Sequence, residues 1–348
     1  DKRWQSAIGF IAQLQGITNE TFMSRRRESI LSAEGEVHVR LRRLVAPAFS
    51  PRSADRLRPF MREVVNGLID DVAQTGRAEV VRDICEPYPI PIICELLGAP
   101  KEDWKLFSRL ATDVLRIFGS DLATELPTIM AAQEELDEYT RGLIAERRSV
   151  PLDDLLTDLI SAEEAGDKLS NEELVMMVEA VIVGGTDTTR NQLGLALALF
   201  AEHPDQWELL RNDPSLAPRA VEEVMRYNGA VGGTIRFASE DIEYNGVLFP
   251  KGTFMSTSMA TGNFDAAVFP EPNTFNILRP PVGQPHLSLG AGIHYCLGAS
   301  LARAELQEAF TVLSERMPQL RLDGPVEYKS TGVGIFGPAS LPIAFNTK

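Results

Sequence analysis

The sequence predicts a chain rich in helices with short β-like runs between Thr234 and Ser256, on three observations. From Arg52 to about Arg148, amphipathic runs at helical spacing alternate with breaks such as Glu86-Pro87-Tyr88-Pro89 and Gly98-Ala99-Pro100. Residues 170–201 read as one long helix, opened by a Ser170-x-x-Glu173 capping box and carrying Leu174, Met177 and Val181. Between Thr234 and Ser256, the runs TIRFA and IEY, the turn Tyr244-Asn245-Gly246 and the run VLF give a hairpin signal.

Composition narrows the function. A chain of 348 residues with 44% apolar and 24% charged side chains can bury a large core. Its net charge of −15 argues against nucleic acid as a partner, because phosphate binding needs a basic surface. Cys85, Cys94 and Cys296 are too few for a disulfide framework and fit a reducing cytoplasm, with Cys85 and Cys94 read as core residues. No signal peptide is evident, and the longest apolar runs, such as LGLALALFA at 193–201, are too short for a bilayer, so no membrane partner is expected. The chain starts at Asp1, which suggests a short or trimmed N-terminal portion.

In chain order, the first informative segment is Glu36 to Phe49, where His38 and Arg42 share a helix face and Arg40 and Arg43 a neighbouring one. By itself this reads as a solvated basic helix. Val114, Ile117, Phe118 and Leu122 are apolar positions that core packing explains. Gly184-Gly185-Thr186-Asp187-Thr188-Thr189 interrupts the long helix. Each glycine there costs about 1 kcal/mol relative to alanine, so a close approach or a function should compensate, although a threonine hydroxyl bonded to a carbonyl could merely bend the helix. Glu223 and Arg226 stand three apart in AVEEVMRY, a pair worth little if exposed.

The stretch Leu287 to Glu305, LSLGAGIHYCLGASLARAE, organises the rest. Gly290 and Gly292 permit a tight turn, and Gly298 opens a helical run with Leu301, Ala304 and Phe310 at roughly helical spacing. Cys296 would then stand just before a helix N-terminus, where free N–H groups and the helix dipole lower a thiol pKa and favour a thiolate able to bind iron. The run fails as a dinucleotide fingerprint, since Tyr295 occupies the third glycine position. His286, His294 and Cys296 match no zinc module.

The pattern Gly290-x-Gly292-x-His294-x-Cys296-x-Gly298 resembles the haem-binding loop of the cytochrome P450 family, the haem-thiolate monooxygenases. Leu289 departs from the family, which usually has phenylalanine there. The resemblance implies a single domain over 1–348 with the cytochrome P450 fold, mainly α with a small β-rich lobe, holding haem b with Cys296 as the axial iron ligand. It makes His38, Arg42 and Arg236 propionate partners, and gives His294, Gly290, Gly292 and Gly298 to the haem loop. Arg40 and Arg43 would face a docking electron donor. It assigns Thr188 to hydrogen bonding with bound dioxygen and Asp187 to proton relay. Glu223, Arg226 and Arg279 become a buried network bracing the haem loop. By the same resemblance Val181, Gly184, Val231, Gly232 and Ile335 would line an apolar substrate cavity, which the turn at 333–336 also reaches, and Val114, Ile117, Phe118 and Leu122 would belong to the lid over it.

The activity so implied is oxidation of a small apolar organic substrate by dioxygen. Electrons would come from NAD(P)H through a ferredoxin or flavodoxin. A haem-thiolate peroxygenase would usually lack the acid–alcohol pair that Asp187 and Thr188 supply. A haem-binding sensor would use the same cysteine without turnover.

Overall fold

A computed structural model describes residues 1–119, 121–164, 169–329 and 335–347. Among the described residues, eleven helices have nine residues or more: α1 (Glu20–Glu28), α2 (Gly35–Val45), α3 (Pro51–Asp70), α4 (Pro89–Leu97), α5 (Trp104–Leu115), α6 (Leu122–Ser149), α7 (Leu155–Glu164), α8 (Asn171–Glu202), α9 (Pro204–Asn212), α10 (Ala217–Tyr227) and α11 (Ala299–Arg316). Their starts follow local chemistry. Asn19 caps α1 by accepting from Phe22 N–H, Ser50 precedes Pro51 at the start of α3, and Ser170 and Glu173 close the expected capping box. Gly98 ends α4 at φ 81°, a conformation glycine adopts freely.

The glycines of α8 do not break it; its 32 residues form one helix, against the interruption expected from the sequence. Tertiary packing overrides the local preference. A Cβ on Gly185 would lie 2.2 Å from Ile93 Cδ1, so the missing side chain lets α4 pack against α8. A Cβ on Gly184 would meet nothing within 4 Å.

The core is built around the C-terminal half of α8, where Phe200 packs edge-on against Phe275 and Phe310 and against the ring of Trp207. Cys85 and Cys94 are buried in it, as expected. A satellite cluster holds Ile117 and Leu122 with Phe22, Met23 and Ile129.

The β-rich part includes an antiparallel sheet of β1 (Trp4–Ser6), β2 (Gly233–Ala238) and β5 (Phe254–Ser258), with β2 central. Between β2 and β5 lies the hairpin of β3 (Ile242–Tyr244) and β4 (Val247–Phe249). Its turn residues, Asn245 and Gly246, both have positive φ, the geometry that matches the strand twist. Another sheet joins the segments Arg77–Glu79, Pro342–Ala344 and Arg321–Leu322.

Candidate functional site

The 287–298 loop is a sequence of tight turns held by its own backbone. Gly290 and Gly292 take φ values of 75° and 73°, and Cys296 N–H donates to Leu289 O at 2.8 Å. The side chain of Cys296 enters a cavity of about 470 Å³ whose opposite wall includes Val181, Gly184 and Thr188 of α8. The ordinary helix-end argument does not set the thiol's acidity. Burial pushes the Cys296 pKa up, outweighing the Gly298 amide and the charges of Arg42 and Arg303. The dipole's influence fades within a turn, and α11 begins only at Ala299.

Four nitrogen-bearing side chains gather where β2 and α2 meet the loop, and all four line the cavity. Arg42 donates to Tyr295 O at 2.7 Å, and Arg236 to Thr234 Oγ1 at 2.8 Å and Ile235 O at 3.0 Å. Neither has a carboxylate partner among the described residues. Burial, then His294 and Arg42, lower the His38 pKa; the His38 and His294 rings lie 4.5 Å apart. His294 Nε2 is 3.1 Å from Glu34 Oε1. Guanidinium groups bonded only to neutral oxygens at a cavity wall suit an acidic cofactor, and a cysteine sulfur in the same cavity suits its iron. The residues therefore fit haem.

The two residues expected to handle oxygen and protons point in different directions. Thr188 lines the cavity while its hydroxyl donates to Gly184 O at 2.9 Å. Asp187 is buried behind that wall, paired with Arg190 and 3.9 Å from Lys329 Nζ. Val231 and Ile335 reach the cavity and are bridged to each other. Gly232 does not: its carbonyl accepts from Ala260 N–H, and Ala230 and Gly233 form the wall instead. Gly292 is exposed and shapes the turn without touching the cavity, whereas Gly290 and Gly298 line it. Val333 and Gly334 lie outside the described residues. Val114 and Phe118 line the cavity, whereas Ile117 and Leu122 are taken up by the satellite core. Of the two outward arginines of α2, Arg40 is engaged by Glu173, whereas Arg43 is exposed.

The buried network is complete. Arg226 Nε and Nη2 donate to the two oxygens of Glu223 at 2.8 and 2.9 Å, and Arg279 Nε donates to Glu223 Oε2 at 2.9 Å. Arg226 also donates to the carbonyls of Asn263, Pro272 and Thr274. Asn263, which sequence reasoning missed, carries this bracing into the loop: it accepts from Leu287 N–H at 2.7 Å and donates to Ser288 Oγ at 2.8 Å. A second unforeseen group joins Glu222 to Arg303 and His286, while Arg303 donates to the Tyr295 hydroxyl. Burial alone would raise the Glu222 pKa, but His286 and Arg303 bring it down to about 2. Only the adjacency of Glu222 to Glu223 could have suggested it.

Comparison with known proteins agrees with this geometry. The family profile described as Cytochrome P450 matches residues 13–316. The chain is 38% identical over 322 residues to nocardicin C N-oxygenase of Nocardia uniformis subsp. tsuyamanensis, covering 91% of this chain and 79% of that one. With steroid C26-monooxygenase of Mycobacterium tuberculosis it shares 34% identity over 319 residues, 91% of this chain and 85% of that one. The crystal structure of CalO2 superposes with a TM-score of 0.91 at 32% identity, covering 100% of this chain and 87% of that one. The chain belongs to the cytochrome P450 family of haem-thiolate monooxygenases.

Proposed function

We propose that Cys296 supplies the axial sulfur to haem iron and that Arg42, Arg236, His38 and His294 bind the haem's acid groups. The observation that carries this is one cavity bounded by a half-buried cysteine, by Gly184 and Thr188 of α8, and by two arginines without carboxylate partners among the described residues. Bound there, haem iron supplies one-electron chemistry and dioxygen activation. The chain's own residues do the rest. Gly184 leaves free volume on the α8 wall, and Thr188 can turn its hydroxyl from Gly184 O toward the cavity to donate a proton-bearing hydrogen bond. Asp187, held by Arg190, reaches that chemistry by releasing its partner or through intervening water.

Electrons come from NAD(P)H through a ferredoxin or flavodoxin, and the exposed Arg43 contributes to the docking face. The substrate is a small organic molecule with a largely apolar body, matched by Val114, Val181, Val231 and Ile335. Among the described residues no helix is long and apolar enough to cross a membrane, which supports a cytoplasmic location.

The ferrous carbonyl complex is expected to absorb where a thiolate ligand places it, and Cys296→Ala should remove that band while Cys85→Ala and Cys94→Ala keep it. An unchanged band in the Cys296 variant overturns the assignment. Thr188→Ala should still consume oxygen but yield less product per reducing equivalent, with the remainder appearing as peroxide. Unchanged coupling removes Thr188 from the proton path.

A further inference from the structure

The cavity has a second charged region, on α1, α6 and the N-terminal half of α8, away from the haem-binding set. Arg25 bridges Asp137 and Glu179, with an Nη2 contact of 2.6 Å to each. Gln133 Nε2 donates to the same two carboxyls at 3.0 Å. Arg26, the next residue, also lines the cavity, yet its guanidinium makes no ion pair or hydrogen bond among the described residues. Its contact is with the ring of Phe22, 5.2 Å from the guanidinium carbon, and Nη2 is buried without a partner. A guanidinium nitrogen shut off from water is rarely left so, because losing water without a replacement partner is costly.

We infer that Arg26 is a substrate-recognition residue that binds the carboxylate of an otherwise apolar organic acid. This deepens the proposed monooxygenase function and rests on it for the fate of the bound molecule. The fork of a guanidinium matches a carboxylate in two parallel hydrogen bonds. Charge selects a monoanion. Arg25 is already occupied by Asp137 and Glu179, so Arg26 offers a single positive charge, and the Asp137 carboxylate nearby would repel a dianion such as a phosphate monoester. The location also orients the ligand. Glu179 precedes Thr188 by nine residues on an unbroken helix, an axial distance of about 13 Å. A carboxylate held at Arg26 leaves the other end of the molecule facing Thr188 and Cys296.

The test uses isothermal titration calorimetry on the haem-loaded protein with two matched pairs, dodecanoate against dodecan-1-ol and 2-naphthoate against 2-naphthylmethanol. The wild type should prefer the carboxylate in at least one pair. Arg26→Leu should weaken that carboxylate by about tenfold or more and leave its alcohol within about twofold, the loss expected for a charge-assisted hydrogen bond. Arg26→Lys should restore part of the preference. Because Arg26 has no hydrogen bond or ion pair among the described residues to lose, and leucine keeps an apolar contact with Phe22, the ligand-free Arg26→Leu protein should melt no lower than the wild type. A wild type that favours neither carboxylate, equal losses for acid and alcohol, or a lower melting temperature overturns the inference. Calorimetry reads binding without the carbonyl band, so a failure here is distinct from a failure of the Cys296 assignment.

Discussion

Two groups of buried charges in this protein use the same side chains and end in opposite conditions. Around Glu223, both arginines reach the carboxylate, the remaining guanidinium donors find backbone carbonyls, and Asn276 N–H donates to Glu223 Oε1. Around Glu179, one arginine and one glutamine are engaged, but Glu179 Oε1 and Arg26 Nη2 have no hydrogen-bond partners among the described residues. The first group lies within folded chain and ties α10 to the 263–279 segment. The second borders the cavity. The difference separates bracing from binding: a saturated network has no bonding capacity left for a ligand, whereas an unsaturated one at a cavity wall has an open valence.

The largest effect expected from this contrast is on stability. Glu223→Ala leaves Arg226 and Arg279 buried without their counter-charge and should cost about 3–5 kcal/mol, as for other broken buried pairs. Chemical denaturation of the haem-loaded protein, with haem content per folded molecule, measures it. Arg279→Ala should fall on the same side, while Arg26→Leu should not. The same sign for both arginine deletions would erase the distinction between the two groups.

How much of this was legible depended on whether chemistry was written locally. The Cys296 loop was, because the spacing of glycine, histidine and cysteine within nine residues defines the turn and singles out the proposed ligand. The α8 capping box and the Asn245-Gly246 turn were legible for the same reason. Asp187 and Thr188 are neighbours in sequence, but adjacent residues on a helix face about 100° apart, so only packing decides which one meets the cavity. Gly184 and Gly185 likewise look equivalent until Ile93 fills the space beside one of them. Nothing in the local pattern singles out one of the three arginines at 25–27. What makes Arg26 different is its place at the cavity wall within reach of the Glu179 charge on α8, and no local pattern encodes that approach.

The unsaturated group also carries a pH signature that can sharpen the comparison. Burial, reinforced by the hydrogen bond and charge of Asp137 and opposed by Arg25, pushes the Glu179 carboxyl up to about 8 from a usual 4.5. Arg25 and Arg26 face it from α1, Gln133 and Asp137 from α6. The folded protein thus retains a proton that the unfolded chain releases between pH 4.5 and 8. Stability from this group is present below pH 4.5 and declines as pH rises through 8. Glu179→Gln keeps an acceptor for Arg25 and cannot ionise, so its melting temperature relative to the wild type should improve between pH 5 and pH 8.5. The gain should be smaller than the loss in Glu223→Ala, because Arg25 offsets part of the ionised form's cost. A difference between the two proteins that stays constant over that range would mean that Glu179 is ionised throughout. Arg26 would then have a fixed negative neighbour, and the open valence assigned to it would be partly filled by the protein itself.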